Sequence, residues 1–185
     1  AISMDLTASV SGTTKGSVVA SDGTDTVFNF ERILATSGND TLLGGLNADW
    51  MNAGAGADSL TGAAGDDVLL GGAGADTLLG GDGVDQLDGG ADNDLLDGGA
   101  GTDELMAGAG NDTVVFDTTD GLVDGGDGVD TLRVADATVD FVHGSVPRVT
   151  GIEVIDLVNA NTGATTANSL TLDLAAVRAM SGTSE

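Results

Sequence analysis

The chain has 185 residues, of which 31 are Gly, one is Pro and none is Cys, and its 30 Asp and Glu face five Lys and Arg for a formal net charge of −25. Such a charge excludes nucleic acid and anionic membrane as partners, the absence of Cys excludes disulfides and thiolate metal sites, and no stretch reaches the ~18 apolar residues of a membrane helix, so no membrane insertion is expected. The 41% hydrophobic share, built on Ala, Val and Leu with only 3% aromatics, is too high for a disordered acidic tail and too poor in aromatics for a conventional core.

Residues 1–34 are expected to form an N-terminal β cap. The opening AISMDLTASV has neither the basic region nor the apolar run of a secretory signal. SDGTDTVFNFERIL then holds a half-repeat, Gly23, Asp25 and Val27, shifted out of the later frame by a six-residue insertion that ends at Leu34. Asp25 is a further candidate cation ligand. FNFERIL alternates apolar and polar residues as a strand does, and it reads as a capping rung with Phe28, Phe30 and Ile33 in the core of the cap.

From Ala35 to Arg133 the chain keeps a nine-residue frame without insertion over eleven blocks. The sixth place reads Asp40, Asp49, Asp58, Asp67, Asp76, Asp85, Asp94, Asp103, Asp112, Gly121 and Asp130. Ten of the eleven are therefore Asp. The eighth place is apolar every time, from Leu42 and Met51 to Val123 and Leu132, and the fourth is Gly except at Asn47, Asp92 and Thr119. Gly-rich hexads suit turns with positive φ and exposed carbonyls, whereas the remaining x-U-x, with U a large apolar residue, has room for a short strand with one inward side chain.

The pattern G-G-x-G-x-D-x-U-x resembles the calcium-binding nonapeptide of the repeats-in-toxin (RTX) family, over 99 residues in strict register. The resemblance implies an all-β fold, a right-handed parallel β-roll, that is, a β-helix solenoid, over residues 35–133. Two turn-strand units make one coil, the U residues fill a thin core, and the turns line both edges.

With alternate blocks on the same edge, Asp40, Asp58, Asp76, Asp94, Asp112 and Asp130 form one column, and Asp49, Asp67, Asp85 and Asp103 the other. Column neighbours one strand spacing apart, about 4.8 Å, repel by about 1 kcal/mol in water and about 3.5 kcal/mol at an effective dielectric near 20. A solvated acidic face would interleave its acids with bases, yet residues 35–132 hold twenty Asp and Glu and no Lys or Arg. A hard divalent cation with six to eight oxygen ligands answers the repulsion, and Ca²⁺ suits carboxylates and carbonyls better than the smaller Mg²⁺.

Carried over from RTX rolls, each ion lies between successive turns of one edge, held by both Asp carboxylates and by carbonyls from the first four places of each turn. That arrangement implies about eight Ca²⁺ ions, with backbone ligands at Gly54, Gly56, Gly72, Gly74, Gly81, Gly83, Gly90, Gly99, Gly101, Gly108 and Gly110. Asp66, Asp82, Asp88, Asp97, Asp120, Asp124 and Asp127 lie outside the ligand place and are expected to be solvated. Asp92, in the fourth place, is expected to accept left-handed geometry. The block FDTTDGLVD, residues 116–124, lacks the leading glycines and has Gly121 where Asp belongs, so its edge is expected to hold no ordinary ion.

Residues 134–185 are expected to form a β-rich C-terminal cap or the start of a further module, with strands in RVTGIEVIDLV and NSLTLDLAAV and a helical turn through LAAVRAM. Together with MDLTASVSG at the start, GIEVIDL and SLTLDL resemble the C-terminal regions of large surface adhesins exported by type I secretion systems. That resemblance implies a secreted or cell-surface bacterial protein, extracellular in location, that engages the type I secretion machinery and folds on calcium outside the cell. The tail of an exported enzyme and a surface-layer element are the alternatives.

No enzyme activity is expected. The lone His143 stands in DFVHGSVPR without a metalloprotease, nucleophile-elbow or cysteine motif around it. A rank of hydroxyls at the seventh place, Thr41, Ser59, Thr77, Thr113 and Thr131, interrupted by Leu95, could meet a cell-surface or carbohydrate ligand, although Thr also suits strands for its own sake.

Overall fold

The computed structural model describes residues 17–19, 26–28, 32–134, 138–140, 148–157 and 169–171. Asp25, Phe30, His143 and the LAAVRAM segment lie outside the described residues. In chain order the strands are β1 (Ser17–Val19), β2 (Thr26–Phe28), β3 (Arg32–Leu34), β4 (Thr41–Leu43), β5 (Trp50–Ala55), β6 (Ser59–Ala64), β7 (Val68–Ala73), β8 (Thr77–Gly83) and β9 (Gln86–Ala91). They continue with β10 (Leu95–Gly101), β11 (Glu104–Gly110), β12 (Thr113–Phe116), β13 (Leu122–Gly128), β14 (Thr131–Val134), β15 (Thr138–Asp140), β16 (Arg148–Thr150), β17 (Val154–Leu157) and β18 (Ser169–Thr171).

Successive strands alternate between two parallel eight-stranded sheets, β1-β3-β5-β7-β9-β11-β13-β16 and β2-β4-β6-β8-β10-β12-β14-β17, while β15 and β18 pair separately. This is the all-β parallel roll that the nine-residue frame anticipates. Two blocks close one coil, so strand partners differ by 18 residues: Leu78 lies opposite Leu60 and Leu96, and Leu87 opposite Leu69 and Leu105. The register is held because a one-residue slip would turn the apolar eighth place outward.

All eleven eighth-place side chains are buried, in two facing ranks, Leu42, Leu60, Leu78, Leu96, Val114 and Leu132 against Met51, Leu69, Leu87, Leu105 and Val123. Each fully buried side chain contributes roughly 1.5–3 kcal/mol. Ile33, Val134, Val149 and Ile152 extend the same core towards the two ends.

The central strands are longer than x-U-x. β5 to β11 run six or seven residues, from the seventh place of one block into the third or fourth place of the next. The reason is that stacked turns also pair in register, Gly81 with Gly99 and Gly83 with Gly101, so the ladder continues around the edge. Consequently a second residue per block points inward: the first place is buried alongside the eighth, as at Ala53, Gly71, Gly80, Gly89 and Ala107.

Stacking at this distance explains the turn glycines. In the Asp76 turn, Gly72 and Gly74 have φ of 110° and 119°, and a Cβ on either would collide with the carbonyl oxygen of Gly54 or Gly56 in the coil before. Among the described residues Ala63 (φ 83°) and Asp92 (φ 76°) are the non-glycine residues held in this region, Asp92 as its place in the frame anticipates.

Candidate metal centre

Each sixth-place Asp ends a turn and immediately precedes a strand, so the fold points its carboxylate back under the turn rather than out to solvent. The ten aspartates named by the frame are 0–6% exposed. One carboxylate oxygen, Oδ1, accepts the N–H of the Asp one coil earlier. In the longer column Asp40, Asp58, Asp76, Asp94 and Asp112 donate in turn to Asp58, Asp76, Asp94, Asp112 and Asp130. In the shorter column Asp49, Asp67 and Asp85 donate to Asp67, Asp85 and Asp103. These eight links measure 2.6–2.9 Å and join the same neighbours that the 18-residue spacing places together. Asp76 and Asp85 therefore belong to different columns.

The other oxygen is left over. Oδ2 of Asp58, Asp67, Asp76, Asp85, Asp94, Asp103, Asp112 and Asp130 is buried and has no hydrogen-bond partner. A buried acceptor without a donor costs about 1–3 kcal/mol, and more when charged, so eight of them in one small roll call for a positive partner. Asp49 differs: its Oδ2 accepts the Gly45 N–H at 2.8 Å, in a turn with Asn47 at the fourth place.

The leftover oxygens face a space that glycine keeps open. A Cβ on Gly71 would fall 2.5 Å from Asp76 Oδ2 and 2.7 Å from the carbonyl oxygen of Gly89, one coil on. Gly62, Gly80 and Gly89 repeat this with Asp67 and Gly80, Asp85 and Gly98, and Asp94 and Ala107. A carboxylate oxygen and a backbone carbonyl thus converge at these four first places, a donor set of hard oxygens that fits Ca²⁺. These first-place carbonyls, at Gly80, Gly89, Gly98 and Ala107, are among the first four turn places from which the resemblance implies carbonyl ligands, although the glycines named there stand at the second and fourth places. The signal for them was the invariably small first place ahead of every sixth-place Asp.

Electrostatics agree with the geometry. Burial pushes the carboxyls of Asp76 and Asp85 up to about 6 and that of Asp94 up to about 7. The incoming N–H from the previous coil opposes the rise, and the charge of column neighbours adds to it. Asp58, Asp67, Asp103, Asp112 and Asp130 are raised by the same burial. Among the described residues no three His, Cys, Asp or Glu side chains converge on one point.

The turns carry a second ladder at the fifth place. Asn39, Asn93 and Asn111 accept the backbone N–H of Ala57, Asn111 and Val129 one coil on, and Asp66 accepts that of Val84. Asp66 is thereby an exposed acceptor outside the candidate sites, and Asp82 and Asp127, at the third place, are likewise exposed outside them.

The block 116–124 departs as its sequence anticipates and in one respect does not. Gly121 offers no carboxylate, and the N–H groups of Gly121 and Leu122 go to the Asp103 carbonyl, so the shorter column ends at Asp103. Phe116 fills the vacated interior at the first place and is fully buried. Asp120, expected to be solvated, is instead 4% exposed. Its Oδ2 accepts the Asp117 N–H at 3.0 Å, because the glycine-poor turn folds back on itself. Burial first, then the charges of Asp117, Asp103 and Asp97, push its carboxyl up to about 7.

The hydroxyl rank Thr41, Ser59, Thr77, Thr113 and Thr131 stands in register along the second sheet, with Leu95 interrupting it and Val154 following it. On the other sheet Arg32 stacks on the Trp50 ring, 4.8 Å from its centre. Among the described residues no helix is long and apolar enough to cross a membrane.

Comparison with known families finds the RTX calcium-binding nonapeptide repeat in four copies, at residues 30–60, 43–78, 52–87 and 79–114. No curated protein and no solved structure matches the chain.

Proposed function

We propose that this chain, whose residues 30–114 match the RTX calcium-binding nonapeptide repeat, is a calcium-binding module of a secreted or cell-surface bacterial adhesin and folds on calcium after passage through a type I secretion system. The carrying observation is the set of eight buried, donorless Asp Oδ2 atoms in two columns that contain no base. RTX repeats are typical of secreted bacterial proteins, and the flanking phrases GIEVIDL and SLTLDL support the adhesin reading. The role is binding and folding rather than catalysis.

Asp58, Asp76, Asp94, Asp112 and Asp130 on one edge, and Asp67, Asp85 and Asp103 on the other, would hold the ions with the first-place carbonyls. Bound calcium supplies the positive charge that two columns of ionised carboxylates lack. About eight divalent ions would cancel about sixteen of the 25 net negative charges. The chain's own part is to keep Oδ1 on the neighbouring N–H, so that each carboxylate presents Oδ2 in a fixed direction. Extracellular modules of this kind bind at roughly 10⁻⁴–10⁻³ M. The repeats would then stay extended in a low-calcium cytosol and fold only outside, where binding free energy becomes folding free energy.

Circular dichroism during calcium titration at pH 7.5, with magnesium as control, tests this reading. Strand signal should appear with calcium and not with the same concentration of magnesium. Full strand signal already present in excess chelator at that pH would refute calcium-driven folding.

A further inference from the structure

We infer that the longer column ends in a divalent-cation site at the edge of the nonapeptide repeats, built by Asp130 of the last repeat together with Gly151 and Glu153 beyond it. It rests on the calcium-binding reading of the columns, and Gly151 and Glu153 are residues that no nonapeptide frame includes.

Register is the first observation. β16 continues one sheet with Asp124 opposite Thr150, and β17 continues the other with Thr131 opposite Val154. Gly151 therefore stands at the first place and Glu153 at the sixth, where every other coil of this column has Asp. The turn between them is contracted from six residues, 125–130, to three, 151–153. Ile152, between the two, is buried against the end of the core.

The second observation is that the parts of a column site are present. Glu153 Oε2 accepts the Asp130 N–H at 2.9 Å, the role that Asp130 Oδ1 plays for Asp112. The N–H groups of Glu153 and Val154 go to the Asp130 carbonyl, as that of Thr131 goes to the Asp112 carbonyl. Asp130 itself is fully buried, and its Oδ2 has no partner. A Cβ on Gly125 would lie 2.9 Å from that oxygen and in collision with the Gly151 carbonyl. Carboxylate oxygen and carbonyl thus converge over Gly125 as they do over Gly71 and Gly89.

The contracted turn keeps its backbone against the column, with the Glu153 N–H on the Asp130 carbonyl at 3.2 Å, and the longer Glu side chain still reaches the Asp130 N–H. Gly151, at φ 65°, makes the tight turn and passes close to the Gly126 N–H. Because Ile152 alone replaces places two to five, the site has fewer turn carbonyls than its neighbours, and Glu153 is exposed. Its ion would keep more water and exchange faster. In effect the site would lock the irregular coil 148–157 onto the last repeat.

Native mass spectrometry of the whole chain at saturating calcium, paired with hydrogen exchange of residues 148–157, tests the inference. Glu153→Gln keeps an amide oxygen for the Asp130 N–H but removes the charge. It should bind one ion fewer than the unaltered chain and lose the calcium-dependent protection of 148–157. Glu153→Asp keeps the charge but is a methylene short, and it should show the same loss. Glu104→Gln, off the columns, should leave the count unchanged. If both Glu153 variants keep the full ion count and protection, Glu153 is only a hydrogen-bonding cap and the inference is overturned. If the unaltered chain and Glu104→Gln bind no calcium at all, the calcium-binding reading of the columns fails instead.

Discussion

A sixth-place aspartate divides its two oxygens between two tasks. In Asp76, Oδ1 accepts the Asp58 N–H and fixes the coil spacing, while Oδ2 is held in a glycine-lined space without a donor. The two tasks can be separated by substitution. Asp76→Asn keeps an acceptor for the ladder but loses the charge, and Asp76→Ala loses both. Each should raise the calcium midpoint of folding about 10-fold or more, since Asp76 faces both Asp58 and Asp94, and even supporting groups of a metal site are worth 10–100-fold. Asp88, half-buried and off the columns, lies between Leu70 and Met106 in its sheet. Asp88→Ala should move the midpoint less than about 2-fold. Equal shifts in a calcium titration would remove the distinction between column and face on which the assignment of ligands stands.

The turn-strand unit couples its first and sixth places. Where the sixth is Asp, the first must be small, because the carboxylate occupies the space above it. The pairs Gly71 with Asp76 and Gly80 with Asp85 show the contact directly. The block 116–124 departs at both places: Phe116 is buried at the first, and Gly121 at the sixth is exposed, where a Cβ would meet Thr102 Cγ2 at 3.1 Å and the Asp103 carbonyl at 3.4 Å. Restoring Asp at 121 alone should therefore fail. Gly121→Asp is expected to add no calcium ion, because position 121 is exposed beside Thr102 and the Asp103 carbonyl and its block has Phe116 where the column turns have a small first place. A gain of one ion in native mass spectrometry would contradict the coupling.

Over the whole molecule, the column carboxyls tie folding to pH as well as to calcium. Their values in the roll, about 6 for Asp76 and Asp85 and about 7 for Asp94, lie above the ~3.9 of an unfolded chain. A raised folded value means that the metal-free roll binds more protons than the unfolded chain. The contribution of these groups is therefore fully present below about pH 4 and is lost as pH rises through 6 to 7. In calcium-free buffer, strand signal should grow as pH falls from 7.5 towards 4.5. The calcium midpoint should move the opposite way, rising on acidification, because protons and calcium compete for the same oxygens. Dichroism at several pH values, with and without calcium, measures both. A calcium midpoint independent of pH between 5 and 7.5 would mean that the buried carboxylates are not the ligands.

Sequence alone determined the parts of this protein that repeat. A nine-residue frame placed the eighth-place side chains inside, grouped the aspartates into columns 18 residues apart, and marked 116–124 as the interruption, since period and register follow from local geometry copied along the chain. Tertiary structure decided what depends on coils meeting. Only stacking shows that turns pair as well as strands, that the first place shares the interior with the eighth, and that Asp120 is buried. It also brings Glu153, 23 residues from Asp130, to the column end through a turn three residues short. No spacing rule reaches that position, because the contraction breaks the frame by which the other ligands are read, and the hydrogen bond across the coils restores it in space.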